Sequence, residues 1–408
     1  MTGTFTRCRA WVVALCAAVG IVLGVGPAAA LAQAMPTPAD DPFYSDGADL
    51  GAYPPGEVLR TRDVQFVADN VGTPFRSTQV LYRSTDENGN PTTAVTTVVQ
   101  PLAPIGSTRI VSFHMFYDGL GAHCDPSYTL RGNNPSASEL SEEAAVLAYL
   151  AAGQTVVIPD YEGPQRAFSV GRHAGRIALD GIRAAETYLG VPSSTPVGMI
   201  GYSGGATPTA FAAELAPTYA PELNIVGAAA GGLLVSPQHT LEYVNGRNRW
   251  SAVLPGVLVG YQRAYGFDTD SFLSPYGRML VGDVADKCLL EFRDSYPGLT
   301  DASMVRSPYR GFSDVPALAE AMRRNEAGTA GTPRVPLLLS VGNVDGQGDG
   351  AMVARDVADL AEKYCRGGAP ARFQVYSGMD HSGSFVPFQA DAAVFLAERF
   401  AGVPPAQC

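Results

Sequence analysis

From residue 110 onward the chain alternates short apolar runs with longer stretches of helical composition. Residues 110–114, 155–159, 196–200, 224–230, 335–341 and 372–376 read as strands; residues 171–189, 206–215, 351–364 and 386–400 read as helices. Near-continuous apolar strands separated by helices predict an α/β fold with a mostly parallel sheet covered on both faces. Residues 78–84 and 92–99 are strand-like, and Asn88-Gly89-Asn90-Pro91 between them predict a hairpin. Residues 35 to about 60 are rich in Pro, Asp and Gly and read as an extended segment. The alternation breaks at 232–333, an irregular interval with helix-like pieces and many aromatic, Pro and Gly residues. An interval of that length does not fit a loop inside a compact domain. It is expected to be an inserted helical cap dividing the core into 35–231 and 334–408; the alternative is a second domain with an unrelated task.

The N-terminus changes the setting. Arg7 and Arg9 precede an uncharged apolar stretch, 10–25, and Ala32-Gln33-Ala34 supplies an A-x-A cleavage site. This is the pattern of a secretory signal peptide over 1–34, cleaved after Ala34 with Ala32 as the alternative; the apolar run is too short for a membrane span. Cleavage removes Cys8, Cys16 and two arginines, taking the formal charge from −11 to −13. That acidity, with lysine only at Lys287 and Lys363, argues against a nucleic-acid partner. Cys124, Cys288, Cys365 and Cys408 remain, an even number in an oxidising compartment, which favours two disulfides in one of three pairings. No C-x-x-C spacing suggests zinc.

Candidate chemistry centres on Gly201-Tyr202-Ser203-Gly204-Gly205. The apolar run before it and the small-residue helix after it give the strand–turn–helix context of a nucleophile elbow, where a strained turn holds a serine hydroxyl clear of the sheet. The bland reading is a glycine turn with an incidental serine. A serine needs a histidine to take its proton, and the histidine needs an acid to fix its tautomer. In this fold class the order is Ser, acid, His. Of the two histidines after Ser203, His239 lies at the entrance of the expected cap, whereas His381 sits in a polar, glycine-flanked loop after the 372–376 strand; His381 is the expected base. For the acid, the 335–341 strand runs into Asn343-Val344-Asp345-Gly346-Gln347-Gly348-Asp349. Asp345 leads because it is nearest the strand end, with Asp349 in reserve. The backbone N–H of Gly204 and the loop carrying Asp118 are expected to form the oxyanion site.

Tyr117-Asp118-Gly119, Pro159-Asp160-Tyr161-Glu162-Gly163, Leu179-Asp180-Gly181-Ile182-Arg183-Ala184-Ala185, the elbow, Tyr219-Ala220-Pro221-Glu222-Leu223 and Gly227-Ala228-Ala229-Ala230-Gly231-Gly232 together resemble the secretory lipase family, the lipase A type of fungi and actinobacteria. The resemblance implies an α/β-hydrolase with a helical cap inserted after the elbow half, acting on acylglycerols and other carboxylic esters. It also implies a Ser203, Asp345 and His381 triad with Asp118 and Gly204 at the oxyanion site, and a Cys124–Cys288 pair. Cys365–Cys408 is the other expected disulfide. The sequence departs from the family pattern at the acid loop, where Gly346-Gln347-Gly348-Asp349-Gly350 follows Asp345 in place of a Val-Pro element.

The expectation is a secreted serine carboxylic-ester hydrolase, foremost a triacylglycerol lipase, working through an acyl-enzyme without metal or organic cofactor. Its partners would be a small-molecule or emulsified ester, with transient contact at a lipid interface and no obligate protein partner. The rivals are a short-chain carboxylesterase, an acyltransferase, a serine peptidase of the same fold, or a binding protein that has kept the fold without the chemistry.

Overall fold

The computed structural model describes residues 35–45, 49–133, 139–247, 249–406 and 408. The expected signal peptide, 1–34, lies outside the described residues. Among them, no helix is long and apolar enough to cross a membrane.

Nine strands form one sheet: β1 (Val58–Ala68), β2 (Val71–Thr85), β3 (Pro91–Val99), β4 (Ile110–His114), β5 (Thr155–Pro159), β6 (Val197–Tyr202), β7 (Ile225–Gly231), β8 (Leu337–Asn343) and β9 (Ala371–Ser377). Their order is β1-β2-β3-β5-β4-β6-β7-β8-β9. The β1/β2, β2/β3 and β3/β5 pairs are antiparallel, and every pair from β5 to β9 is parallel. The expected hairpin is β2–β3, registered from Ser77 opposite Val99 to Thr85 opposite Pro91.

The side-chain period of two sorts the strand residues onto two cores. Ile110, Val157, Val197 and Met199 pack on one face against helices α2 (Gly171–Leu189), α3 (Ala206–Tyr219) and α8 (Ala354–Arg366). Val111, Phe113, Val156, Ile158, Ile200 and Tyr202 pack on the other, against α1 (Glu139–Ala151) and α9 (Phe385–Phe400). Both faces are therefore dry, which is why these strands read as unbroken apolar runs. Strand β1 is different: Arg60, Arg62, Asp63 and Gln65 alternate along a half-exposed edge. Charge on an edge strand blunts edge-to-edge pairing, and it also erased the apolar signal, so the extended N-terminal segment expected up to about residue 60 gives way to strand at Val58.

Between β7 and β8 the described elements are all helices, chiefly α4 (Pro237–Val244), α5 (Val253–Tyr265), α6 (Pro275–Val284) and α7 (Pro316–Arg324). They bury a hydrophobic cluster of their own, including Leu241, Leu258, Tyr261, Leu280, Phe292 and Leu318. Leu120, Ala167, Phe168 and Val170 from loops of the sheet side complete it.

Among the described residues two disulfides are present, Cys124–Cys288 and Cys365–Cys408. The first joins the loop after β4 to the helical insertion; the second ties the end of α8 to the chain terminus.

Candidate active site

The β6 strand delivers Tyr202 in extended backbone, Ser203 takes φ 54°, and the chain then turns through Ser203–Gly205 into α3. A left-handed serine is strained, and such strain persists where surrounding packing over-determines it. Here the packing leaves no room for side chains beside it. A Cβ at Gly201 would lie 1.9 Å from Gly205 O, one at Gly205 would lie 1.9 Å from His114 O, and one at Gly204 would lie 1.8 Å from Asp118 Oδ1. The three glycines are thus steric requirements of the turn.

Ser203 Oγ stands 2.8 Å from His381 Nε2, and His381 Nδ1 stands 2.8 Å from Asp349 Oδ2. All three residues are buried. His381 follows β9 and is fixed on several sides. Its N–H donates to Asp349 O at 2.8 Å, its carbonyl accepts from Tyr202 Oη, and its ring meets the Trp250 ring edge-on at a centroid distance of 5.1 Å. His239 is exposed and pairs instead with Asp356 at 3.1 Å.

Asp345, the leading candidate from the sequence, does not stand beside His381. It is exposed, and its Oδ1 accepts the N–H groups of Gln347 and Gly348 at 2.8 and 2.9 Å while Oδ2 accepts Tyr243 Oη at 2.8 Å. Burial pushes its carboxyl up, but the Gly348 and Gln347 N–H groups and the Tyr243 hydroxyl outweigh this and leave it below the ordinary aspartate value. Asp345 is a turn-former. The turn it caps sends the chain back on itself, with Val344 N–H donating to Gly348 O at 2.8 Å, and returns Asp349 to the strand end, where a Cβ at Gly342 would lie 2.9 Å from Asp349 Cβ. Oδ1 of Asp349 accepts the N–H groups of Ala351 and Met352 at 2.9 and 2.7 Å, leaving Oδ2 for the imidazole. Nothing in the sequence separates the two aspartates, since each accepts the N–H groups two and three residues on in an Asx-type turn; only the path of the chain between them does.

The loop after β4 faces the serine. Asp118 has φ 40°, and its carboxyl lies against Gly204. Burial raises the Asp118 carboxyl to about 7, opposed by the positive charge His381 can carry. The loop is held at both ends: Phe116 N–H donates to Glu142 at 3.0 and 3.2 Å, and Gly119 N–H donates to Glu162 Oε2 at 3.1 Å. Leu289 N–H donates to Asp118 O and Leu120 N–H to Lys287 O, both at 3.0 Å, so the insertion is stitched to this loop beside the Cys124–Cys288 bond.

A narrow pocket opens beside Ser203. Asp118, Ser203 and Gly204 form its floor; Leu241, Val244, Trp250, Val253 and Val257 from the insertion line its walls. Ligand sites are typically apolar with a few convergent polar groups, as this lining is. Among the described residues, one group of metal-ligating side chains gathers, His123, Cys124, Cys288 and Glu291. Its two sulfurs are bonded to each other, so the donor set lacks the thiolates a metal would need.

Other shared motifs are structural. Asp180 is buried and accepts from Ser84 Oγ at 2.7 Å, Arg183 at 2.7 Å and Tyr219 Oη at 2.8 Å, locking β2, α2 and the end of α3 together.

The model of the secretory lipase family matches residues 136–408. The chain belongs to the secretory lipase family. A relative described as a probable inactive lipase, from Mycobacterium tuberculosis, is 32% identical over 90% of this chain and 83% of its own. Lipase A of Arthroderma benhamiae is 32% identical over 91% of this chain and 82% of its own. The crystal structure of Candida antarctica lipase A in its closed state superposes with a TM-score of 0.82 at 28% identity, covering 92% of this chain and 89% of that one. The fold is therefore that of an α/β-hydrolase, and the family makes the enzyme a carboxylic ester hydrolase. In this chain serine, histidine and aspartate are in hydrogen-bond contact.

Proposed function

We propose that the enzyme is a secreted triacylglycerol lipase working through an acyl-enzyme on Ser203. The observation that carries this is the continuous Ser203–His381–Asp349 hydrogen-bond chain beneath an apolar pocket. His381 Nε2 takes the Ser203 proton as Oγ attacks the ester carbonyl, and Asp349 holds the imidazole in the required tautomer and stabilises its charged form. The tetrahedral oxyanion accepts from the Gly204 N–H and from Asp118. An ionised aspartate cannot donate; burial keeps the Asp118 carboxyl protonated up to about pH 7, so it serves as an O–H donor. Collapse expels the alcohol, which takes its proton from His381. Water then enters by the same route and releases the fatty acid, with no cofactor in any step.

The acyl chain is assigned to the pocket between the elbow and the insertion, which makes 232–333 a cap over the site. Two disulfides and the apolar leader ending in Ala32-Gln33-Ala34 support secretion. Hydrolysis of emulsified long-chain triacylglycerol by the intact protein and by Ser203→Ala tests the reading.

A further inference from the structure

We infer that Glu162 is a positioning residue for ester hydrolysis: through Gly119 N–H it fixes the backbone that aims Asp118 at the oxyanion. The inference rests on the reading of Asp118 as an oxyanion donor. Asp118 adopts φ 40°, left-handed backbone that is less favourable than the right-handed regions even for an aspartate and is kept by the contacts around it. The support on one side is the covalent and backbone link to the insertion. On the other, Glu162 Oε2 accepts Gly119 N–H at 3.1 Å, immediately after Asp118. Glu162 is itself immobilised. Its N–H donates to Tyr117 Oη at 2.8 Å, and its carbonyl accepts Ala167 N–H at 2.9 Å and lies 3.0 Å from His173 Nε2. It therefore grips the loop at Tyr117 and at Gly119, the two residues flanking Asp118.

The protonation of Glu162 makes the role testable. Burial, with Asp118 and Asp125 nearby, drives its carboxyl well above the ordinary value, against the Gly119 N–H and Arg263, which favour the charged form. A neutral acid that only needs to accept one N–H is mimicked by glutamine, whose amide oxygen occupies the same place. Aspartate keeps the chemistry but is one methylene short of Gly119. It leaves a buried N–H unpaired and the loop free to shift, and small displacements of catalytic groups are costly.

The experiment compares Glu162→Gln, Glu162→Asp, Asp118→Ala and the Asp118→Ala/Glu162→Asp double variant on a soluble nitrophenyl ester, with folding checked by circular dichroism. Glu162→Gln should keep kcat within about threefold, whereas Glu162→Asp should lose about tenfold or more in kcat with KM within about twofold. Added to Asp118→Ala, the Glu162→Asp change should lower kcat by less than about a further twofold, because its effect passes through Asp118. Equal losses for Gln and Asp, an unaffected Glu162→Asp, or full multiplication of the two losses overturns the inference while leaving the oxyanion reading intact. If Asp118→Ala itself keeps full kcat, the oxyanion reading fails, and this inference with it. Should Glu162→Asp not fold, Glu162→Met, which fills the space without an acceptor oxygen, takes its place: a loss of about tenfold in kcat beside retention in Glu162→Gln supports the role, and retention in both rejects it.

Discussion

Asp349 meets His381 twice, through Oδ2 to the ring Nδ1 and through its carbonyl to the His381 N–H, each at 2.8 Å. The double contact fixes both the tautomer and the place of the histidine backbone. Asp349→Asn should therefore reduce kcat by roughly 10⁴-fold, as in other triads, with KM little changed. Asp345→Asn keeps an oxygen for the Gln347 and Gly348 N–H groups, loses only the carboxylate acceptor of Tyr243 Oη at the surface, and should cost less than about threefold in kcat, with a small drop in thermal stability. Steady-state kinetics on a soluble short-chain ester rank the two.

That His381 meets Asp349 and not Asp345 shows where the sequence stops being legible. The strands of the parallel sheet announce themselves because both faces are buried, and the elbow does so because three glycines cannot be replaced. The histidine that stands against Ser203 was identifiable by chain order and loop position. The acid was not, since position relative to a strand end is counted along the chain, whereas the Asx turn at Asp345 folds the chain back and makes the later aspartate the nearer one in space. The edge strand β1 was lost for another reason: Arg60, Arg62, Asp63 and Gln65 put polar groups on both faces of a half-solvated edge and leave only Val64, Phe66 and Ala68 as an apolar period. Glu142 and Glu162, which hold the loop carrying Asp118, carry no periodicity at all; their signal is burial of an acid, visible only once the fold is known.

Asp118 predicts an alkaline limit on activity. Burial raises its carboxyl from 3.8 to about 7, and in the proposed mechanism the protonated form is the donor, so kcat should fall as pH rises through about 7. Asparagine at this position donates at every pH, so Asp118→Asn should lose the alkaline fall. Stability runs the same way. Between 3.8 and about 7 the native state holds a proton the unfolded state has released, so the wild type loses stability as pH rises through that window. Asp118→Asn should therefore gain relative to wild type in thermal melts at pH 8 compared with pH 4.

The two disulfides should separate stability from activity. Cys365–Cys408 spans 43 residues, and opening it with a Cys365→Ala/Cys408→Ala pair should cost about 3 to 4 kcal/mol by chain entropy while leaving kcat near wild type. Opening Cys124–Cys288 loosens the loop carrying Asp118 and should lower kcat as well. Denaturant melts alongside kinetics on the two double variants check both halves.

Acyl length should be read by the insertion. Val253 lines the pocket and is only half-buried, so Val253→Trp narrows the acyl path without overfilling the core. For long-chain nitrophenyl esters kcat/KM should drop about tenfold or more, with acetate hydrolysis within about threefold. A chain-length series on the variant and the wild type measures it.

The central claim is most directly tested by replacing the Ser203 hydroxyl. Ser203→Ala removes one oxygen from a buried site and should leave circular dichroism and melting temperature nearly unchanged. On emulsified long-chain triacylglycerol the wild-type protein should release fatty acid, and the variant's turnover should fall by about 10⁶-fold, to the residue left by binding and the oxyanion site. Fatty-acid release by well-folded Ser203→Ala at a rate comparable to the wild type contradicts the account.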